Sequence, residues 1–483
     1  MSVERNSAPI APPCKSKAMA EMPGPKGIVL LGNANQIDKL RFHTSLEKWA
    51  QIFGPLYRFN LAGRQFVVTS DSAVIATLLH DRPAKMRRSS RMAELVEEGG
   101  FAGVFTAEGT NWLKQRRLVM RALTPQVIEQ FFPTLASMTA RLERRWRTMT
   151  DAGKPPDLLR DLKAFTLDVT IAIAFGTDIN SLEDETNPLQ QDIDFVLKRI
   201  GQRVATAFPY WRWFKRAPDR QADICTARIR HAVEGFIAEV RVRISTDPAL
   251  RSKPRNLLES MVVACDELDS DFTDEEVFGN AMTMVFAGED TTSHTAAWLL
   301  NFLARDETAF KGIAAEAKET LGESKVADSL AVLDRMSQID DAIKEAMRLK
   351  PVAPFIPLQA NEAIIIDGYM IPAGTIVTCM TRQADQREGR WPDPAEFRSS
   401  RWTQASENGS GKGTSQKMPG FGGGPRFCPG RYLAITEIKM MISMIAKNFT
   451  IAVDQQAGPV EERFTFTMTP SHLPVILNKK SSD

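Results

Sequence analysis

The pattern that most constrains the fold lies between Thr273 and Arg305. Thr273-Asp274-Glu275-Glu276 has the form of a capping box, in which a hydroxyl and a carboxylate satisfy the first free amides of a helix. The residues that follow stay largely apolar, and this predicts one helix of roughly 30 residues, about 45 Å long. A helix of that length crosses a large domain.

The remaining pattern predicts a mainly α protein with small β-sheets. Residues from about Thr124 to Met347 follow an almost wholly helical pattern, and a further helix is predicted to begin at Leu46. Residues 56–61 and 65–69 alternate as a hairpin does, and Asp367-Gly368 is a favoured two-residue turn for a second hairpin. We therefore expect the α+β class.

No linker rich in proline, glycine or serine divides the chain into two cores. We predict one large domain over residues 27–483 and a mobile arm over residues 1–26, which are polar and proline-rich. Residues 404–417 are rich in serine, glycine and lysine, which is typical of a solvated insertion.

Composition excludes several classes of function. Lys+Arg 61 against Asp+Glu 59 leaves a net charge of +2, which gives no case for nucleic-acid binding. The cysteines, an odd and scattered set, do not resemble a disulfide framework and favour a reducing compartment. No apolar run approaches the ~20 residues that cross a bilayer, so we expect no membrane anchor, no signal peptide and a cytoplasmic location. The five cysteines are Cys14, Cys225, Cys265, Cys379 and Cys428.

One loop is suited to presenting a thiolate. Residues 421–430 read FGGGPRFCPG, and a helical pattern begins at Arg431. Glycine-rich backbone turns its amides toward the sulfur, and the helix N-terminus adds positive potential, so Cys428 is expected to be favoured as an anion. Arg426 suits a carboxylate. The alternative is a buried structural cysteine, but a lone thiolate lacks the four ligands of a zinc site and indicates haem.

The spacing F-x-x-G-x-R-x-C-x-G resembles the haem-binding signature of the cytochrome P450 monooxygenases, and the chain is most similar to their soluble, bacterial-type members. The resemblance implies the cytochrome P450 fold, with the long helix crossing the haem. It implies haem b (iron protoporphyrin IX) as cofactor and Cys428 as the metal ligand. It further implies cofactor-binding roles for Phe421, Gly422, Arg426 and Gly430.

The middle of the long helix contains Ala287-Gly288-Glu289-Asp290-Thr291-Thr292. A mid-helix threonine can bond the carbonyl four residues back, and Gly288 would let that turn widen into a groove. The alternative is a glycine that permits close helix packing. The match to the family pattern A-G-x-[DE]-T-[TS] implies that Ala287 lies at the cofactor and that Thr291 bonds dioxygen. The same match gives Asp290 the role of relaying protons from solvent, whereas His294 is predicted to be a packed residue.

The resemblance implies a role for a pair of charged residues on one helix. Glu345 and Arg348 share a helix face at i,i+3, and alone they resemble a surface ion pair. The family's E-x-x-R motif implies a structural network with Arg401 that fixes the cysteine loop, although Ser399 and Ser400 replace the usual Pro-Glu before that arginine.

Trp112 and Arg116 lie at i,i+4 and present two donors that suit carboxylates. The alternative is a tryptophan packed on the arginine stem. The family's W-x-x-x-R motif implies contacts with the haem propionates, to which Arg426 adds a donor. Leu358 stands where the family commonly has another arginine.

The resemblance implies a monooxygenase that inserts one oxygen atom from O2 into a lipophilic small molecule, by hydroxylation or epoxidation. Because the chain has no convincing flavin or nicotinamide fingerprint, its electrons must come from a ferredoxin or flavodoxin-type donor and its reductase. Such an acidic partner suits a basic face. The residues proposed for that face are Lys114, Arg117, Arg121 and Arg431. A monomer is expected, and Phe208–Phe214 is predicted to be an entrance lid or, alternatively, a membrane contact.

Two other functions remain open at this point. One is a haem-thiolate enzyme that uses peroxide or isomerises hydroperoxides without an electron donor. The other is a haem-binding sensor. Asp290-Thr291 favours oxygen activation over both, because such an acid and alcohol can position water for proton delivery.

Overall fold

The computed structural model describes residues 16–100, 102–184, 186–204, 206, 208–267, 270–386, 391–407 and 420–480. The helices before the central one are α1 (Phe42–Phe53), α2 (Ser72–His80), α3 (Ser90–Glu98), α4 (Gly109–Ala122), α5 (Pro125–Asp151), α6 (Leu158–Phe175), α7 (Pro188–Val204), α8 (Ala217–Thr246), α9 (Ala249–Ser252) and α10 (Leu257–Cys265). The central helix is α11 (Asp274–Leu303). It is followed by α12 (Glu307–Leu321), α13 (Leu330–Asp334), α14 (Ser337–Leu349), α15 (Thr381–Asp385), α16 (Ser400–Glu407) and α17 (Arg431–Asn448).

The strands are short. They are β1 (Lys17–Ala18), β2 (Leu56–Leu61), β3 (Arg64–Thr69), β4 (Met86–Arg88), β5 (Ile356–Ala360), β6 (Ile364–Ile366), β7 (Tyr369–Ile371), β8 (Ile376–Cys379), β9 (Phe449–Val453), β10 (Glu462–Phe464), β11 (Met468–Pro470) and β12 (Val475–Lys479). One sheet has the order β2-β3-β8-β5-β4, a second has β1-β7-β6, and β10-β11 and β12-β9 are separate pairs. The protein is predominantly helical with small sheets, as expected.

The central helix begins where its sequence signal predicts. The Thr273 hydroxyl accepts a hydrogen bond from the Glu276 amide, and the Glu276 carboxylate accepts one from the Thr273 amide. Along its length α11 packs against α6, α8, α10, α14 and α17. A helix surrounded in this way positions its middle residues deep in the molecule.

Three hydrophobic clusters hold the elements together. The largest joins α5 to α8, α11 and α17, and it includes Trp146, Phe165 and Leu299. A second packs α1 on β2 and β3, and a third packs α2 on β4, β5 and β8. The third cluster places α2 beneath the cysteine loop, where Gly423 and Gly424 meet Leu79.

Both predicted hairpins are present. β2 pairs with β3 in register from Leu56 opposite Thr69 to Leu61 opposite Arg64. β6 and β7 flank the Asp367-Gly368 turn, where both residues have positive φ, at 45° and 79°. This is the backbone that a tight hairpin turn requires.

Three local expectations differ from the structure. The first helix begins at Phe42 rather than Leu46. The predicted mobile arm is joined to the sheet from Lys17 onward, because β1 pairs in parallel with β7, the middle strand of its sheet, and Met22 is buried against the larger sheet. Residues 1–15 of that arm lie outside the described part of the chain. Residues 404–407 of the predicted insertion complete α16, and residues 408–417 also lie outside the described chain.

Candidate active site

The cysteine loop is shaped by its glycines and by its contact with α2. The Cys428 amide donates to the Phe421 carbonyl at 2.9 Å, which closes the loop on itself. Gly422 and Gly424 have φ of +70° and +63°. A Cβ on Gly424 would lie 2.1 Å from the Leu79 carbonyl oxygen, so this position accepts only glycine.

The Cys428 sulfur lies at the start of α17, beside the backbone amides of Gly430 and Arg431. Burial nevertheless raises the pKa of the Cys428 thiol, although these amides and the charges of Arg116 and Arg431 act in the opposite direction. The amides and the nearby charges act on the thiol pKa in the expected direction, and desolvation opposes them. A metal cation at the sulfur supplies the remaining stabilisation of a thiolate.

Several arginines and one carboxylate, that of Glu108, lie close together beside this loop. The arginines are Arg82, Arg88, Arg116 and Arg426. Arg426 donates to the Glu108 carboxylate and to the Ala107 carbonyl. Several other guanidinium nitrogens are buried and donate to no acceptor within the described residues; they belong to Arg82, Arg88 and Arg426. Buried donors of this kind normally have a partner. Their convergence fits a ligand with more than one negative charge.

The pKa values of these side chains support the same conclusion. Burial, together with the charges of Arg82 and Arg426, lowers the pKa of Arg88 to about 9, with Glu108 acting against them. Burial likewise lowers the pKa of Arg426 to about 10, with Glu108 acting against it and the charges of Arg82 and Arg116 acting with it. A pair of carboxylates would relieve both the desolvation and the mutual repulsion. The residues present therefore fit the propionates of a haem.

The structure brings Trp112 to Arg426 and Arg116 to the cysteine loop. Trp112 is buried, and the guanidinium of Arg426 lies 4.5 Å from its ring centroid. The guanidinium of Arg116 donates to the Phe427 carbonyl at 2.6 Å and lies 4.8 Å from the Phe427 ring. The stacking alternative thus holds for Trp112, but with Arg426 as the cation.

The missing family arginine at Leu358 has a structural counterpart. Leu358 is buried in β5, directly opposite Arg88 in β4. The adjacent strand therefore provides an arginine at the position where β5 lacks one. The sequence did not identify Arg82, Arg88 or Glu108 as cofactor-binding residues. Arg88 faces Leu358 only through a strand register that joins segments about 270 residues apart.

The middle of α11 presents a small polar face. The Thr291 hydroxyl donates to the Ala287 carbonyl at 2.7 Å, as expected. Ala287 is exposed and Thr291 is half-buried, although Phe286 and Thr292 beside them are buried. This face of the central helix therefore borders an internal space rather than another element.

Gly288 serves packing. The helix runs without interruption from Asp274 to Leu303, so the predicted widening at Gly288 is not found. A Cβ on Gly288 would lie 2.2 Å from the Thr170 hydroxyl oxygen of α6. The close approach of α6 to α11, which the sequence analysis left as the alternative, accounts for this glycine.

Asp290 is held in a buried polar network. Its carboxylate lies 3.2 Å from His294 Nδ1 and accepts a hydrogen bond from the Thr467 hydroxyl. His294 Nε2 lies 2.9 Å from the Thr469 hydroxyl. Burial alone would raise the pKa of Asp290, but the charge and hydrogen bond of His294, the charge of Lys163 and the Thr467 hydroxyl hold it well below its usual range. His294 is packed as predicted, and it is also the principal partner of Asp290.

Glu345 is the centre of a fully buried ion network. Arg348 forms a bidentate pair with it at 2.8 and 2.9 Å, and Arg401 donates to it at 2.7 Å. The Trp402 indole and the Arg398 amide donate to the same carboxylate. These extra donors hold the segment firmly although Ser399 and Ser400 replace the family's Pro-Glu.

The network reaches the cysteine loop through packing. Arg348 and Arg401 also donate to backbone carbonyls of Pro392, Pro394 and Glu396, which fixes that segment. On the same helix as Glu345, Met347 lies against Gly420, where an added Cβ would come within 2.7 Å of its terminal methyl group. α14 therefore links the ion network to the start of the loop.

Of the four basic residues proposed to bind the electron donor, one is engaged in an ion pair and three are exposed. Lys114 is paired with Glu276 at 2.9 Å. Arg117, Arg121 and Arg431 are exposed. The predicted lid is anchored at Trp211, whose indole donates to Glu98 at 2.8 Å, while Phe208, Trp213 and Phe214 are exposed.

Comparison with known proteins finds similar sequences over most of the chain. The family model described as Cytochrome P450 matches residues 22–477. The chain is 24% identical to "Cytochrome P450 4e2" of Drosophila melanogaster, an alignment that covers 90% of this chain and 84% of the relative. It is 26% identical to the human "25-hydroxyvitamin D-1 alpha hydroxylase, mitochondrial", covering 94% and 91%. It is 24% identical to the "Carotene epsilon-monooxygenase, chloroplastic" of Arabidopsis thaliana, covering 84% and 76%.

Within the described residues, every helix is too short or too polar to traverse a lipid bilayer.

Proposed function

The chain belongs to the cytochrome P450 family, and from this premise we propose a role for each residue of the candidate site. It is a haem-thiolate monooxygenase that inserts one oxygen atom from O2 into a lipophilic small molecule, with electrons from a redox partner. Its cofactor is haem b with a cysteine thiolate as axial ligand. The residue assignments below are proposals.

Cys428 is proposed as the axial ligand. The observation that carries this assignment is the sulfur's position at the α17 N-terminus, where the Gly430 and Arg431 amides act to lower the pKa of the thiol. It lies beside arginines whose buried nitrogens have no acceptor within the described residues. Cys225 and Cys379 are buried. Burial raises the pKa of Cys379 to about 12, and the charge of Arg82 only partly opposes this. These are features of inert structural thiols.

The propionate-binding set is proposed to be Trp112, Arg426, Arg88 and Arg82, with Arg116 bracing the loop through the Phe427 carbonyl. Phe421, Gly422 and Gly430 shape the proximal wall. Glu345, Arg348 and Arg401 hold the supporting segment, as their buried contacts indicate.

When bound, a thiolate-ligated haem supplies reductive activation of dioxygen. The chain contributes position and protons. Ala287 leaves room beside α11, and Thr291 holds a hydroxyl at that opening, with its proton directed to the Ala287 carbonyl at rest. Asp290 lies one residue away, and its carboxylate is proposed to relay protons toward the opening.

The finer aspects of substrate and partner are proposals as well. A fatty acid, terpenoid or other polycycle is the expected substrate class, in keeping with relatives named for a vitamin D derivative and for carotene. The donor is proposed to be a ferredoxin or flavodoxin-type protein that docks at exposed Arg117, Arg121 and Arg431. We further propose a monomer with one haem domain over residues 27–483. A cytoplasmic location is proposed because Cys225, Cys265, Cys379 and Cys428 are free thiols.

Isotopically labelled dioxygen tests this function. Decanoate, a sterol and a monoterpene are first screened for a shift of the haem Soret band. Each binder is then turned over with NADPH and a surrogate ferredoxin and reductase. One labelled atom per product molecule is expected. Product that forms only with added peroxide, or that carries no label, would contradict the monooxygenase assignment and favour a peroxide-using enzyme.

A further inference from the structure

The residue beside Asp290 has no place in the network described above. Glu289 is fully buried in α11, with an exposed fraction of 0%. Neither of its carboxylate oxygens accepts a hydrogen bond from any group in the described chain. A buried carboxylate without partners is costly, so a residue of this kind in the central helix calls for an explanation.

Glu289 lies in a cluster that connects the helix interior with solvent. One carboxylate oxygen from each of Asp194, Glu289 and Asp290 lies within 4.8 Å of the other two. Asp194, on α7, has 38% of its side chain exposed, whereas Asp290 is buried beside the opening at Thr291. The cluster therefore extends from the surface to the oxygen-activation motif.

A cation is already present in this cluster. The Lys163 ammonium of α6 is paired with Asp194, and it also interacts with Glu289 and Asp290. The Asp290 carboxylate is paired with His294 and accepts a hydrogen bond from the Thr467 hydroxyl. The three carboxylates therefore do not need a metal ion, and the arrangement suits movement of a proton better than binding of a cation.

The pKa values of the two adjacent acids are shifted in opposite directions. Burial raises the pKa of Glu289 well above its ordinary value, the charges of Asp194 and Asp290 raise it further, and Lys163 only partly offsets them. The pKa of Asp290 lies well below its usual range because of His294, Lys163 and Thr467. The environment therefore favours the protonated form of Glu289 and the ionised form of Asp290. Adjacent acids with divergent pKa values are typical of a donor and an acceptor.

We propose that Glu289 is the proton reservoir of this enzyme, receiving protons from water at Asp194 and delivering them through Asp290 to the opening at Thr291. This inference rests on the proposed function. Glu289 transfers its carboxyl proton to the Asp290 carboxylate, and Asp290 releases it at the opening. Asp194 then takes a proton from water and passes it to the Glu289 carboxylate, whose transient charge Lys163 stabilises. All groups return to their starting charges, and one proton has moved inward.

The test uses haem-loaded protein and needs no substrate. Dithionite-reduced protein is mixed with dioxygen, and the return of the oxidised spectrum is timed in H2O and D2O over the pH range in which the protein is folded. Release of reduced oxygen consumes a proton, so the rate reports proton delivery. Glu289→Gln keeps the size and neutrality of the resting side chain and removes its proton.

Glu289→Gln is expected to slow the reaction at least about tenfold, because a positioned proton donor contributes typically ~10²–10⁴-fold. It should also abolish the pH dependence and raise the fraction of NADPH electrons recovered as hydrogen peroxide with a surrogate donor. Glu437→Gln is the matched control, since Glu437 is equally buried and its pKa is raised by burial alone. Asp194→Asn, at a partly exposed site, should give a smaller effect in the same direction.

A Glu289→Gln protein with the wild-type pH profile and solvent isotope effect would overturn the proposal, as would a Glu437→Gln protein that behaves like Glu289→Gln. If Glu289→Gln does not load haem, Asp194→Asn decides the matter, and a wild-type pH profile and isotope effect in that variant would count against it. Failure of the proposed function is separate, because it would appear as wild-type protein whose reduced CO complex lacks the spectrum of a thiolate ligand.

Discussion

At the scale of single residues, some site residues can be predicted from the sequence, whereas others can be recognised only in the structure. Cys428 and Arg426 were predictable, because glycines and a following helix in one short segment are visible in the sequence. Arg88 was not, because its importance depends on β4 lying beside β5, where it faces Leu358. Its guanidinium stacks 3.7 Å over the Phe105 ring, but its buried Nε has no acceptor among the described residues, and an anionic ligand would supply one.

Arg88→Met is expected to weaken haem retention with little change in fold. A hydrogen bond to a charged group contributes about 1.5–3 kcal/mol, so haem should leave roughly tenfold to a hundredfold faster. Transfer of haem to excess apomyoglobin measures this rate. Arg87→Met, an exposed neighbour on the same strand, is the control and should match wild type. Equal rates for the two variants would remove Arg88 from the propionate set.

At the scale of elements, helix starts follow local chemistry, while helix contacts do not. The capping box at Thr273 and Glu276 predicted the first residue of α11 to within one position. The role of Gly288 was misjudged, because its partner Thr170 is on another helix, and no local pattern shows which helix will pack there. The same limit concealed the contacts of Glu289 with Lys163 and Asp194.

Gly288→Ala should destabilise the contact between α6 and α11. The added methyl group would lie 2.2 Å from the Thr170 hydroxyl oxygen, and overpacking of this kind costs roughly 1–3 kcal/mol of unfolding free energy. Gly235→Ala, on α8 with nothing near the added methyl, should instead gain about 0.5–1 kcal/mol. Urea unfolding compares them. Adding Thr170→Ala to Gly288→Ala should restore part of the loss, and no restoration would refute the contact.

Glu345→Gln should disrupt the linkage between α14 and the segment before α16. Two buried arginines would lose their anionic partner, which costs about 3–5 kcal/mol. Glu307→Gln makes the same chemical change in a solvent-exposed pair with Lys311 and should leave the stability close to that of wild type. Thermal unfolding distinguishes them, and a Glu345→Gln protein as stable as Glu307→Gln would show that the network is dispensable.

At the scale of the whole molecule, the fold class was predictable from the sequence, whereas the arrangement of the layers was not. Runs of helical pattern and two hairpins defined a mainly α protein with small sheets. The packing of residues 17–22 on the sheet was missed, because the arm's prolines suggested mobility and β1 is only two residues long. Strand pairing at a distant sheet edge leaves little signal in so short a segment.

The whole molecule's stability should respond to pH through its buried acids. Burial raises the folded-state pKa of Glu437 well above its ordinary value, so the folded protein keeps a proton that the unfolded chain loses above about pH 4.3. Wild-type stability therefore falls as pH rises through this range, by about 1.4 kcal/mol per pH unit from this group, until the folded carboxyl ionises. Glu437→Gln removes that slope.

Urea unfolding of both proteins at several pH values measures the difference. The advantage of Glu437→Gln should widen from acidic to neutral pH. A difference that stays constant, or that narrows as pH rises, would show that Glu437 is ionised in the folded protein.

The central claim is that Cys428 supplies the thiolate that holds the haem iron, and the spectrum of the reduced protein with carbon monoxide tests it most directly. A thiolate ligand shifts the Soret maximum of that complex far to the red of the position given by imidazole or by a neutral thiol. The wild-type protein and Cys379→Ser, in which another buried thiol is removed, are predicted to show the red-shifted band, and Cys428→Ser is predicted to lose it. A red-shifted band that persists in Cys428→Ser, or that disappears in Cys379→Ser, would contradict the account.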